Sequence, residues 1–163
     1  MSVADPEPTA STAISAAPTT VAVTVEDSSI PESTGVQPEG FTTVQARVTS
    51  ADGEVCEVCL WLADTDAERS RGLMGVTDLG DAVGMVFTWE APVSSRFVMI
   101  GTPTPLSIAW FADDGSYVSG ADMEPCVDGD PSACARYAAT GEYTAAIEMF
   151  QGELDAIGIG PGA

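Results

Sequence analysis

The chain has no histidine and no lysine, and its only cationic side chains are five arginines against 25 carboxylates. Each absence closes a class of chemistry. Without histidine there is no Ser-His-Asp triad, no Cys-His pair and no imidazole ligand for a metal. Without lysine there is no Schiff base and no P-loop. With so few cations, the counterion release that drives binding to nucleic-acid backbones has little to work with. Anionic membrane surfaces are disfavoured for the same reason. No stretch reaches the roughly 18 apolar residues of a membrane helix. No basic, apolar leader of the signal-peptide type is present either. What remains is a 163-residue chain of formal charge −20 and 45% hydrophobic residues, enough for one core. The simplest role of the charge is solubility.

The apolar residues are unevenly spread. Residues 1–41 are rich in Ala, Ser, Thr, Pro and acids, lack any basic residue and have no aromatic before Phe41. Pro6, Pro8, Pro18, Pro31 and Pro38 interrupt them. This reads as a disordered linker, in which the weak alternation from Thr20 to Val25 has no obvious partner. Such a leader often follows a removed export or lipoprotein signal, so the expected location is extracytoplasmic, secreted or lipid-anchored.

Residues 42–163 read as a single β-rich domain. Strands are predicted over Val44–Ser50, Val55–Ala63, Gly84–Trp89, Ser95–Ile100, Leu106–Phe111, Tyr117–Met123, Ala135–Ala139 and Tyr143–Phe150. Within Val55–Ala63, Cys56, Val58, Leu60 and Leu62 share one face, while Glu57, Cys59 and Trp61 share the other. Thr65-x-x-Glu68 fits a capping box for a two-turn helix that Gly72 ends. A helical turn is expected at Gln151–Ala156. The expected class is mainly β: a jelly-roll-like sandwich or small barrel, with one short helix after the second strand and a helical turn near the C-terminus.

Four motifs then fall in a telling order: Arg71-Gly72-Leu73-Met74, Gly84-Met85-Val86-Phe87, the Phe97–Ile108 segment with its Pro105-Leu106, and Glu148 before Gly158-Ile159. In these the chain resembles the domain-of-unknown-function 192 family over roughly residues 47–162. The resemblance implies a jelly-roll-like fold, often exported or tethered, with no established activity. The chain departs from the family pattern in one loop. Val98, Ile100, Gly101 and Ser107 replace the family's Trp, Lys, Asn and Asp there.

Cys126 and Cys134 flank a Val-Asp-Gly-Asp-Pro loop and can meet in a disulfide, the default in an exported protein. Closing so short a loop stabilises by roughly 2–3 kcal/mol. Cys56 and Cys59 lie three apart in a strand, about 10 Å from one another and on opposite faces. That exceeds the roughly 7 Å limit for a bridge. Either a turn brings them together or they stay reduced. Zinc would need all four thiolates to converge and is disfavoured. Asp122, Glu124, Asp128 and Asp130 crowd one region and could bind calcium, but a solvated acidic loop is the simpler reading. No metal or cofactor is assigned.

Arg71 is the most informative single residue. It is expected to form a fold-holding ion pair, with Glu148 as one partner, and secondarily to hold an anion. Arg71, Thr102, Pro105 and Glu148 are the candidate ligand-binding residues. The favoured function is a non-enzymatic, extracytoplasmic binding or accessory module of the cell envelope, whose partner is an envelope component or a small ligand. The alternative is a hydrolase-like enzyme that uses carboxylates and Arg71 on an oxygen-rich substrate. A deep pocket lined by Arg71, Thr102 and Glu148 favours the enzyme, and a flat or filled site favours the module.

Overall fold

Eight strands form in the order the apolar runs demand, each where alternating or continuous hydrophobic residues end at glycine, proline or acidic turns. In the computed structural model, which describes residues 35–127 and 130–163, they are β1 (Thr42–Thr49), β2 (Val55–Ala63), β3 (Gly84–Val93), β4 (Arg96–Val98), β5 (Leu106–Phe111), β6 (Tyr117–Met123), β7 (Arg136–Ala138) and β8 (Tyr143–Phe150). Two short helices, α1 (Asp66–Arg71) and α2 (Glu153–Ala156), and a 3₁₀ turn at Pro131–Ala133 complete the set. The protein is therefore mainly β.

Six strands make one mixed sheet in the order β1-β2-β3-β8-β5-β6, and β4 pairs with β7 in a separate two-stranded ribbon. β2 and β3 run parallel, joined by the crossover that carries α1, while the other pairs are antiparallel. β8 lies between β3 and β5, so Ala146, Ile147, Glu148 and Met149 are all buried.

Alternate residues serve two apolar layers. One contains Met85, Phe87, Leu106, Ile108, Trp110 and Ala146, roofed by Phe97 and Tyr137 of the ribbon and by Leu73 and Met99. The other contains Val58, Leu60, Val86, Ala109, Ile147 and Met149, closed by Leu154 of α2 and by Ile159. Cys56 packs with this second layer and Trp61 with the first, as strand alternation requires. Cys56 and Cys59 are accordingly both free thiols.

α1 is brief because its signals are local. Thr65 accepts from the Glu68 amide at 3.2 Å, and the Glu68 carboxylate accepts from the Thr65 amide at 3.1 Å. The bond from the Thr65 amide foremost, and then one donated by the Thr65 hydroxyl at 2.9 Å, hold the Glu68 carboxyl below its ordinary range. Gly72, at φ 45°, ends the helix by donating to the Glu68 carbonyl at 2.8 Å. Gly84 answers a different need. A Cβ there would lie 2.3 Å from the Glu148 carbonyl oxygen and 2.8 Å from the Met149 side chain. Only glycine lets β8 pass this close to the start of β3.

The proposed linker ran to residue 41, but its last residues belong to the domain. The Val36 amide donates to Thr77 Oγ1 at 2.8 Å, and Val36 accepts from the amides of Thr77 and Asp78. These bonds tie the segment to Thr77 and Asp78. Residues 1–34, including the Thr20–Val25 run, lie outside the described residues.

Candidate functional site

Glu148 is the chemically unusual group. Strand alternation points it into the first apolar layer, and its register partners are Met85 on β3 and Ile108 on β5, both fully buried. Glu148 is 6% exposed, and its carboxyl has no hydrogen bond or ion pair among the described residues. Burial pushes it up to about 8, because an ionised carboxylate would forgo hydration with no compensating charge. At neutral pH it is a protonated acid that can both donate and accept a hydrogen bond.

The carboxyl lies on the floor of a cleft of about 560 Å³. α1 and the Gly72–Met74 turn form one wall, and Ser95–Ile100 forms the other. Phe87, Trp89, Phe97 and Met99 give it an apolar lining, with Thr102 near the floor. Phe87 and Phe97 meet edge-to-face at 5.2 Å, as do Trp89 and Tyr143, which fixes the wall geometry. Tyr143 donates to the Ser95 carbonyl at 2.8 Å, and burial raises its phenol to about 12.

Three of the five arginines line this cleft. Arg69 is committed to structure. It pairs with Asp66 at 2.6 Å, donates to the Thr88 carbonyl at 2.7 Å and lies 5.3 Å above the Trp89 ring. Arg71 donates through Nη1 to the Glu39 carbonyl at 2.6 Å and lies 5.4 Å above Phe41. The anticipated Arg71–Glu148 pair is not formed. A guanidinium at the end of α1 satisfies itself on an exposed carbonyl and an aromatic face without desolvating fully, and the acid it would pair with is neutral. Arg96 has no ion-pair or hydrogen-bond partner among the described residues, and neither does the buried Thr102 hydroxyl.

The structure thus brings Arg71, Thr102 and Glu148 into one cleft, but not Pro105. The Pro105 carbonyl instead accepts from the Gln151 amide at 3.1 Å, tying the start of β5 to the end of β8. Arg96, which the sequence did not single out, joins the site. Its signal was available: it is one of few cations and directly precedes the motif residue Phe97.

Cys126 and Cys134 form a disulfide with Cα atoms 5.8 Å apart. The bridge braces the cleft wall, because Cys126 exchanges backbone hydrogen bonds with Met99 and Gly101. In the acidic loop, Asp130 caps the 3₁₀ turn by accepting from the Ser132 amide at 2.9 Å. Asp122 accepts from Ser107 at 2.6 Å. Asp128 lies outside the described residues, among which no group of three or more candidate metal ligands converges. Nor does any helix among them have the length and apolarity to cross a membrane.

A mainly β domain, with one mixed sheet, a roofing ribbon and a cleft over the sheet's central strand, is the class that these features define. The chain belongs to the domain-of-unknown-function 192 family (DUF192, "Uncharacterized ACR"), whose pattern matches residues 47–163. Among solved structures it is similar to a protein of unknown function from Novosphingobium aromaticivorans DSM 12444. Identity there is 30% and the TM-score 0.62, over 80% of this chain and 91% of that one. It also shares its fold with a provisional transcription regulator from Sinorhizobium meliloti 1021. That match has 21% identity and a TM-score of 0.66, over 75% of this chain and 91% of that one. No curated protein matches the chain.

Proposed function

We propose that this is an exported binding domain whose cleft takes a small polar ligand. The observation that carries this reading is the set of polar groups that line one cleft without partners among the described residues: the Glu148 carboxyl, the Thr102 hydroxyl and the Arg96 guanidinium. Glu148 and Thr102 are buried, where polar groups are normally satisfied, and a ligand that bonds to them would supply the missing partners, while the exposed Arg96 offers a positive charge to an anionic group. The Cys126–Cys134 disulfide supports work in an oxidising compartment of the cell envelope. The transcription role offered for the Sinorhizobium protein does not suit this chain, whose charge of −20 repels nucleic acid.

A screen of small polar fragments against ¹⁵N-labelled protein tests the binding role. Amide shifts confined to Gly72–Met74, Ser95–Thr102 and Glu148 are the expected result. Shifts that are absent or spread over the whole surface contradict it. Export is tested by fractionation. The expected form is an envelope or extracellular protein with one disulfide, and a cytoplasmic protein with all four thiols reduced contradicts it.

The convergence of Arg71, Thr102 and Glu148 on one cleft also supports a catalytic reading. A carboxyl that stays protonated up to about pH 8 is suited to act as a general acid. Turnover of a bound ligand that vanishes in Glu148→Gln while binding persists would favour that reading over simple capture.

A further inference from the structure

Resting on the binding role above, we infer that the ligand is a small hydroxylated monocarboxylic acid, its carboxylate at Arg71 and Arg96 and its hydroxyls at Glu148 and Thr102. The distribution of charge carries the choice. In a chain of net charge −20, the cleft holds Asp66, Arg69, Arg71, Arg96 and Glu148. Asp66 and Arg69 cancel one another as an ion pair. Glu148, between Met85 and Ile108, is neutral at pH 7. Arg71 and Arg96 have no carboxylate partner among the described residues, so the cleft is locally positive on an acidic protein.

That pattern excludes cationic ligands, which would meet two arginines and no anion. It excludes purely apolar ligands, which would leave the acid and the hydroxyl unsatisfied. A single carboxylate matches the guanidinium fork. A phosphate dianion would bring a second negative charge into the field of a strongly acidic chain. At depth, a protonated carboxyl and a hydroxyl both donate and accept, which fits hydroxyl groups. Phe97 and Met99 supply the apolar flank for a carbon backbone. The volume, about 560 Å³, lies within the usual range for small-molecule sites.

The pH dependence follows from the groups that face Glu148. β3 and β5 present none that titrates, α1 and its turn present Asp66, Arg69 and Arg71, and β4 presents Arg96. Glu148 is the group among them whose ionisation falls near neutrality. Once ionised, it opposes an incoming carboxylate and loses its proton as a donor.

The test is titration calorimetry of the full chain with D-gluconate and D-glucuronate. Sorbitol and glucose serve as neutral counterparts, glucose 6-phosphate as the dianion and glucosamine as the cation. Either sugar acid is expected to bind at least about tenfold more tightly than its neutral counterpart. Arg96→Ala should remove most of that preference. The wild type should lose about tenfold in affinity at about pH 9 relative to pH 7, while Glu148→Gln, which keeps a donor but cannot ionise, should bind at pH 7 and stay flat. Equal or tighter binding of the neutral sugar, the phosphate or the amine overturns the ligand class and leaves the binding role standing. The ligand class also falls if neither sugar acid binds while other fragments still shift the cleft amides. Failure of every compound and of the fragment screen overturns the binding role itself.

Discussion

The face of the sheet beneath the β4–β7 ribbon and the face beneath α2 use alternate residues of the same strands, yet each carries on its inner strands a buried polar side chain that is treated differently. Ser107 on β5 and Glu148 on β8 illustrate this. Ser107 looks toward α2, donates to Asp122 at 2.6 Å and accepts from the Gly152 amide at 3.1 Å. Its hydroxyl is satisfied on both sides and pins β6 and the end of β8 to β5. Glu148 looks toward the ribbon and has no partner among the described residues. The buried Trp110 Nε1 of the same layer has none either. An unpaired buried polar group costs about 1–3 kcal/mol. One face is finished as a core, and the other carries that cost at Trp110 Nε1 and leaves the Glu148 carboxyl unbonded where a cleft reaches the sheet. Such unreturned cost is the mark of a functional surface.

Substitutions that separate the faces test this contrast. Gly84→Ala should have the largest effect, because its Cβ would collide with the β8 backbone at Glu148 and with the Met149 side chain. A loss of roughly 3–5 kcal/mol is expected in denaturant unfolding. On the finished face, Met149→Ala empties a fully buried site and should cost about 2–4 kcal/mol, with ligand-induced shifts in the cleft unchanged. Changed cleft shifts in that variant would break the separation of the faces.

Replacing Cys126 and Cys134 with serine removes a link eight residues long, and should cost about 2–3 kcal/mol. Because Cys126 is hydrogen-bonded to Met99 and Gly101, the amide shifts should concentrate on the ribbon face. Glu148→Gln should reverse the usual sign for a core change. The folded protein holds a proton on Glu148 that the unfolded chain releases above about pH 4.5. Wild-type stability from this group therefore falls as pH rises from there to about 8, then levels off. The variant should match the wild type near pH 5 and exceed it by about 1–3 kcal/mol near pH 8.5. The smallest effect is expected from Thr65→Ala, which removes the cap of α1 on the cleft rim and should cost about 1 kcal/mol.

Much of this architecture was legible in local signals. The capping box at Thr65 and Glu68, the stop at Gly72, and the alternation that separates Cys56 from Cys59 depend on neighbours in sequence, so they could be read directly. Strand order and the parallel β2–β3 pairing depend on distant contacts, and no single run of residues encodes them. The candidate site divides in the same way. Arg71, Thr102 and Glu148 were reachable through motifs, but the partner of Arg71 was not, because Glu39 and Phe41 sit in a segment that reads as linker. Arg96 escaped notice because its strand is three residues long and its importance lies in what it lacks. Ser107 read only as a replacement of the family's Asp, whereas the fold gives its hydroxyl two bonds.

The central claim is that Glu148 is a neutral acid on the cleft floor at physiological pH. Carbon-13 NMR titration of the labelled Glu148 carboxyl in the full chain measures this directly, with Glu148→Gln assigning the signal. A midpoint near 8 is the predicted result. A midpoint near 4.5, the ordinary value for glutamate, would contradict it and remove the basis for the cleft's selectivity.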